Sequence, residues 1–171
     1  MEKEYVFHGS PIRVDKLIPN QACDIEYKEG CQYAVYATTK KIMAILFSMG
    51  CIEEGDNAKR IMMPEYGDKM CFCNCHPNYN GKGYLYYLDK SKFIHAMGNQ
   101  WVCYEEIVPE FVEEIEVNDY LAYCIIEKQM SPIEREKSMS NIYINARSSI
   151  RIEGTKVIYF DPFKITEEAH D

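Results

Sequence analysis

No stretch of the 171-residue chain approaches the roughly 18 consecutive apolar residues that a helix needs to cross a bilayer, which argues against an integral helical membrane protein. Basic residues are scarce beside acidic ones: 19 Lys and Arg against 27 Asp and Glu leave a formal net charge of −8. Phosphate backbones are held by clustered Lys and Arg, so this deficit speaks against nucleic acid as the principal partner. The same sign keeps the protein soluble and off anionic membranes. There is no internal repeat, no low-complexity tract and no dividing linker, so a single domain spanning 1–171 is expected. The opening MEKEYVFHGS has no apolar signal core, and the expectation is a cytoplasmic protein with reduced thiols.

What is present is the balance of a globular chain, 47% hydrophobic and 27% charged. Tyrosine occurs 14 times, which suits β-strands and places where a flat ring meets a ligand while its hydroxyl stays wet. The eight cysteines raise the question of a disulfide framework, but a chain of this length does not need staples. Cys71, Cys73, Cys75 and His76 form a donor set that suits zinc, although two residues more often separate paired zinc cysteines. Alternation along a strand puts the three thiols on one face, so a strand face rather than a metal is expected; Cys23, Cys31 or Cys51 would have to complete a tetrahedron. Nothing singles out one cysteine as a nucleophile with His8 or His95.

Tyr5–His8 is a β-rich run halted by Gly9-Ser10-Pro11, so a strand should deliver His8 to its end. Residues 11–31 read as loop and Tyr33–Ala37 as a strand. Thr38 or Thr39 then offers a cap for a helix whose Ile42, Ile45, Leu46 and Met49 share one face, with Gly50 as its stop. Residues 51–83 are broken by glycine and proline and suggest a loop or lid. Tyr84–Leu88, Phe93–Ala96, Trp101–Tyr104 and Phe111–Val117 read as strands, with Ile107-Val108 strand-like between the last two. Ser131-Pro132-Ile133-Glu134 is a capping box that should open a helix. Residues 149–160 read as a strand pair or one long strand. Mostly strands with a few helices argue an α+β class.

Three motifs stand in order: His8-Gly9-Ser10 at the end of a strand, Val35-Tyr36-Ala37-Thr38 running into an amphipathic helix, and Asn99-Gln100-Trp101-Val102-Cys103-Tyr104 opening a later strand. Over residues 4–117 this order resembles the ADP-ribosyltransferase superfamily, particularly its His-Tyr-Glu branch of poly-ADP-ribose polymerases, diphtheria-type toxins and many small bacterial proteins. The resemblance implies two small, bent, mainly antiparallel sheets with a few helices, clamping NAD, here a substrate, in a cleft. By resemblance, His8 bonds a ribose hydroxyl, the Gly9 backbone meets the carboxamide, and Ser10 makes a neighbouring contact. Tyr36 and Phe47, eleven residues apart, sandwich the nicotinamide ring. Ala44 stands where the polymerases carry a serine.

The family's glutamate is replaced here by Gln100. Breaking the nicotinamide–ribose bond develops an oxocarbenium-like cation that a carboxylate stabilises and a neutral amide does not. Glu106 would share a face with Gln100 if alternation continued, Glu105 would not, and a solvated turn accounts for both. Arg147 and Arg151 could meet a pyrophosphate. The resemblance therefore implies ADP-ribosyl transfer to an unidentified protein or nucleotide acceptor, or hydrolysis of NAD. The alternatives are an NAD- or ADP-ribose-binding module without turnover, an RNA 2′-phosphotransferase-like activity disfavoured by the acidic balance, and an interaction protein with an empty cleft.

Overall fold

The computed structural model describes residues 2–22, 32–55, 58–63 and 67–127, and the backbone of 149–153, 156–161 and 164–169. The chain gathers into two compact units, each made of two separate stretches: residues 1–48 with 83–115, and 49–82 with 116–171. The class is α+β with mostly antiparallel pairing, and among the described residues no helix is long and apolar enough to cross a membrane.

The first unit is a sheet with one helix on it. Its strands are β1 (Tyr5–Ser10), β2 (Asn20–Gln21), β3 (Tyr33–Thr38), β8 (Lys82–Asp89), β9 (Ile94–Met97), β10 (Gln100–Cys103) and β11 (Phe111–Glu116). They run in the order β11-β8-β1-β3-β10-β9, with β2 beside β3. On one face, alternate residues Val6, Val35, Ala37, Tyr86, Leu88 and Cys103 pack with Leu17, Phe93 and Ile107 from the connections. Gly98, at φ 51, turns β9 into β10.

The other face carries α1 (Lys41–Phe47), which buries Ala44, Ile45 and Leu46. Its N-cap is Lys40 without a side-chain cap; Thr38 instead accepts from the Lys40 N–H at 3.0 Å. The helix ends at Ser48, before the Gly50 stop suggested by the sequence. Two glycines let it lie close. A Cβ on Gly9 would sit 1.7 Å from the Ala44 carbonyl oxygen, and one on Gly83 would sit 2.3 Å from that of Ser48. Helix backbone thus rests directly on strand backbone.

The second unit contains residues 51–82 of the segment expected to be a loop or lid, and four strands lie among the described residues there. β4 (Ile52–Glu53), β5 (Lys59–Met63), β6 (Lys69–Cys73) and β7 (Cys75–His76) lie there, joined by β12 (Cys124–Glu127), β13 (Ser149–Glu153), β14 (Lys156–Asp161) and β15 (Lys164–Ala169). One sheet runs β15-β14-β13-β12-β6-β5 and a small one pairs β4 with β7. β12 is parallel to both β6 and β13. The strand pair expected over 149–160 is β13 and β14. The capping box at 131–134, Arg147, Cys23, Cys31 and the Arg151 side chain lie outside the described residues.

Candidate functional site

The residues nominated from the sequence fall in the first unit, around a break in its sheet. β1 is paired with β8 along its whole length, from Tyr5↔Asp89 to Ser10↔Tyr84. Its ladder with β3 holds a single pair, Phe7↔Thr38. Continuing that register would set Gly9 opposite Tyr36, but the ladder stops first. Strand residues direct their N–H and C=O alternately to either side, so beyond Phe7 some β1 backbone groups face this break.

His8 spans the break. Its Nδ1 lies 2.7 Å from the Tyr36 carbonyl oxygen. A carbonyl only accepts, so Nδ1 carries the proton and Nε2 of the neutral ring is an acceptor. Burial lowers the His8 pKa, and the bond to the Tyr36 carbonyl, which favours the protonated ring, opposes the shift only in part. The ring also leans on Tyr86, with centroids 6.0 Å apart.

Phe47 is the last residue of α1. Ala44, Phe47 and Ser48 share a helical face, and the backbone of Ala44 and Ser48 rests against Gly9. Phe47 is 38% exposed while Leu46 is fully buried, so its ring is not part of the core. The Tyr36 hydroxyl accepts from the Gln32 N–H at 2.8 Å, which fixes the ring direction, and the residue is half-buried. Gln100 opens β10 opposite Thr38, and Val102 lies opposite Tyr36. Directly paired residues share a face, so Gln100 is the diagonal neighbour of Tyr36, about 7–8 Å away by strand geometry. Gln100, Thr38 and Phe7 form a row across β10, β3 and β1. His8, Gly9, Tyr36, Phe47 and Gln100 thus gather about the break from its two faces. Gly9, Tyr36 and Gln100 share the face that carries α1 and Phe47, while His8, paired with Tyr86, lies on the other face with Val6 and meets Tyr36 through its backbone carbonyl.

Two nominated residues are placed differently. The Ser10 hydroxyl accepts from the Ile12 N–H at 3.2 Å and closes the turn after β1. β10 ends at Cys103, so the alternation that would set Glu106 on the face of Gln100 does not reach it. Glu106 is exposed and ion-paired with Lys16 at 2.6 Å. It lines a depression of about 470 Å³ together with Lys92, Ile94, Val102, Cys103, Tyr104 and Glu105, and none of the five clustered residues lines that depression.

The sequence did not single out Tyr86 or Arg13. The Tyr86 hydroxyl donates to the Ile12 carbonyl at 2.8 Å and accepts from the Val14 N–H at 2.9 Å, pinning the loop that leaves Ser10. Arg13 and Asp15 on that loop both bear electrostatically on the Tyr86 hydroxyl, in opposite senses. The pairing of Tyr86 with His8 sets this arrangement, and only the strand register reveals it.

Chemically, the cluster offers a neutral imidazole acceptor, an interrupted ladder, two aromatic rings, a side-chain amide and a nearby guanidinium. These suit a ligand with a flat ring, an amide, hydroxyls and negative charge. No family model, no curated protein and no solved structure matches the chain.

Proposed function

We propose that the first unit binds NAD in an ADP-ribosyltransferase-like site and transfers its ADP-ribose slowly to an acceptor. The observation that carries this is the break between β1 and β3 at Gly9 and Tyr36, spanned by His8 and flanked by the exposed ring of Phe47. The carboxamide pairs with the Gly9 backbone where β1 has lost its ladder, and the ring lies between Tyr36 and Phe47. Nε2 of His8 accepts from a ribose hydroxyl, and Arg13 faces the pyrophosphate. Gln100 hydrogen-bonds the nicotinamide ribose. In the reaction the bond from ribose C1′ to the pyridinium nitrogen breaks. Nicotinamide leaves with the electron pair and becomes neutral, the acceptor oxygen or nitrogen bonds C1′, and the acceptor gives up its proton.

Gln100 also favours a second function, a binding module without turnover. An amide holds the ribose but supplies no charge to the developing cation. Losing one well-placed electrostatic contact costs about 10²–10³ in rate. Calorimetric titration with NAD and nicotinamide, with nicotinamide release followed in the same samples, tests both. Binding with release is the expected result for the transferase, and Gln100→Glu should then raise release by about 10²-fold or more. Binding without release, restored by Gln100→Glu, selects the module. No binding of either ligand to folded protein overturns the NAD assignment.

A further inference from the structure

In the second unit, every residue of β6 is buried. Strand alternation sets Cys71 and Cys73 on one face, with their sulfurs 3.6 Å apart. β12 runs parallel alongside, with Ile125 in register with Cys71 and Glu127 with Cys73. This pairing carries the Glu127 carboxylate to the thiols. The two sulfurs and a carboxylate oxygen lie within 4.8 Å of one another, on residues 4%, 4% and 3% exposed. Among the described residues, these are the cysteines and acids that converge in this way.

The spacing discriminates between uses of such a pair. A disulfide needs sulfurs about 2.0 Å apart, and residues i and i+2 of an extended strand hold their Cα atoms at the far edge of the disulfide range. Two sulfurs bound to one tetrahedral zinc, each at about 2.3 Å, sit about 3.8 Å apart, close to what is found. A carboxylate is an ordinary third ligand for the same ion. Beyond β6, Asn74 at φ 53 turns the chain, and Cys75 places its sulfur 3.4 Å from the carbonyl of Lys59, the residue paired with Cys73. The Cys75 thiol is also hydrogen-bonded with Cys51, and it is not among the donors that converge within 4.8 Å. His76, the imidazole of the sequence motif, is engaged elsewhere: Nδ1 with the Pro77 carbonyl at 2.7 Å and Nε2 with Glu54 at 3.3 Å.

We infer that the second unit holds a thiophilic divalent cation of the zinc class, ligated by Cys71, Cys73 and Glu127, with a solvent oxygen completing the tetrahedron. Binding displaces the thiol protons to solvent and sets a dication beside the Glu127 carboxylate. The site binds β6 to β12, strands far apart in the chain, and so supports their parallel pairing. It is independent of the proposed NAD site.

The test uses the full-length, reduced, chelator-treated protein, titrated with Co²⁺ and then with Zn²⁺. One Co²⁺ per chain, with thiolate-to-cobalt charge-transfer bands and the intense visible bands of tetrahedral cobalt, is expected, both abolished by stoichiometric Zn²⁺. Cys71→Ser and Cys73→Ser should remove the charge-transfer bands. Glu127→Gln should weaken Zn²⁺ by at least the roughly ten-fold that losing even an outer-shell partner costs. Cys103→Ser, in the first unit, should change nothing. Weak octahedral cobalt without charge transfer in the wild-type protein overturns the site even if the variants fail to fold, and so do unchanged bands in folded Cys71→Ser.

Discussion

The two nitrogens of His8 do different work. Nδ1 is committed to the Tyr36 carbonyl, and Nε2 is the atom proposed to meet a ribose hydroxyl. Because burial holds the pKa below its ordinary 6.5, the folded chain resists a proton that the unfolded chain takes up near that pH. The unfolded state therefore binds more protons as the pH falls through this window. The stability His8 contributes is present above about 6.5 and is lost as the pH descends to the folded value. His8→Asn separates the two roles. Its amide nitrogen keeps a donor near Nδ1, while the titration and the Nε2 acceptor disappear. Urea midpoints should fall more steeply for the wild type than for the variant between about pH 7.5 and 5.5. At the upper pH, NAD affinity of the variant should drop about ten-fold, the worth of one good hydrogen bond. Parallel pH profiles would mean that another group titrates.

At the scale of elements, the seat of α1 on the sheet decides where Phe47 sits. Gly9→Ala would drive a methyl into the Ala44 carbonyl oxygen, so the helix must shift. A loss of about 1–3 kcal/mol in urea unfolding is expected, together with weaker NAD binding because Phe47 moves with its helix. Gly55→Ala, where a Cβ meets nothing within 4 Å, should stay within about 0.5 kcal/mol and is the control. Close approach to the helix was not legible in the sequence, which suggested only approach to a ligand. Strands β1, β3, β8, β10 and β11 and the helix were legible, because one-sided burial writes alternation or a helical stripe and glycines mark the ends. Residues 51–83 were not, since β6 is buried on both faces and loses the alternation that separates strand from loop. Its parallel partner β12 lies some fifty residues on, and no local signal announces a pairing of that kind. Of the candidate site, the residue types were legible but the break in the sheet was not. A strand register that stops after Phe7↔Thr38 is a property of two strands, not of either sequence. Glu106 lies off the face of Gln100 for a related reason: β10 ends at Cys103, before alternation reaches it, and the solvated-turn reading of Glu105 and Glu106 fits.

The whole molecule imposes a field on whatever enters the site. With a net charge of −8, the long-range potential opposes an anionic dinucleotide, and only short-range contacts such as that proposed for Arg13 favour it. Salt screens the long-range part over about 8–10 Å and leaves closer contacts less affected. NAD affinity should therefore hold steady or rise as salt increases from about 50 to 200 mM, the range over which nucleic-acid binders lose orders of magnitude. Nicotinamide, uncharged, should show no dependence. Calorimetry of both ligands across that series checks the expectation with an internal reference. A steep fall for NAD alone would mean that several cations converge on the pyrophosphate. That would restore the RNA 2′-phosphotransferase alternative, which the overall charge now disfavours. A flat response for both ligands fits a site where stacking and hydrogen bonds hold the nicotinamide end and net charge acts only on the approach.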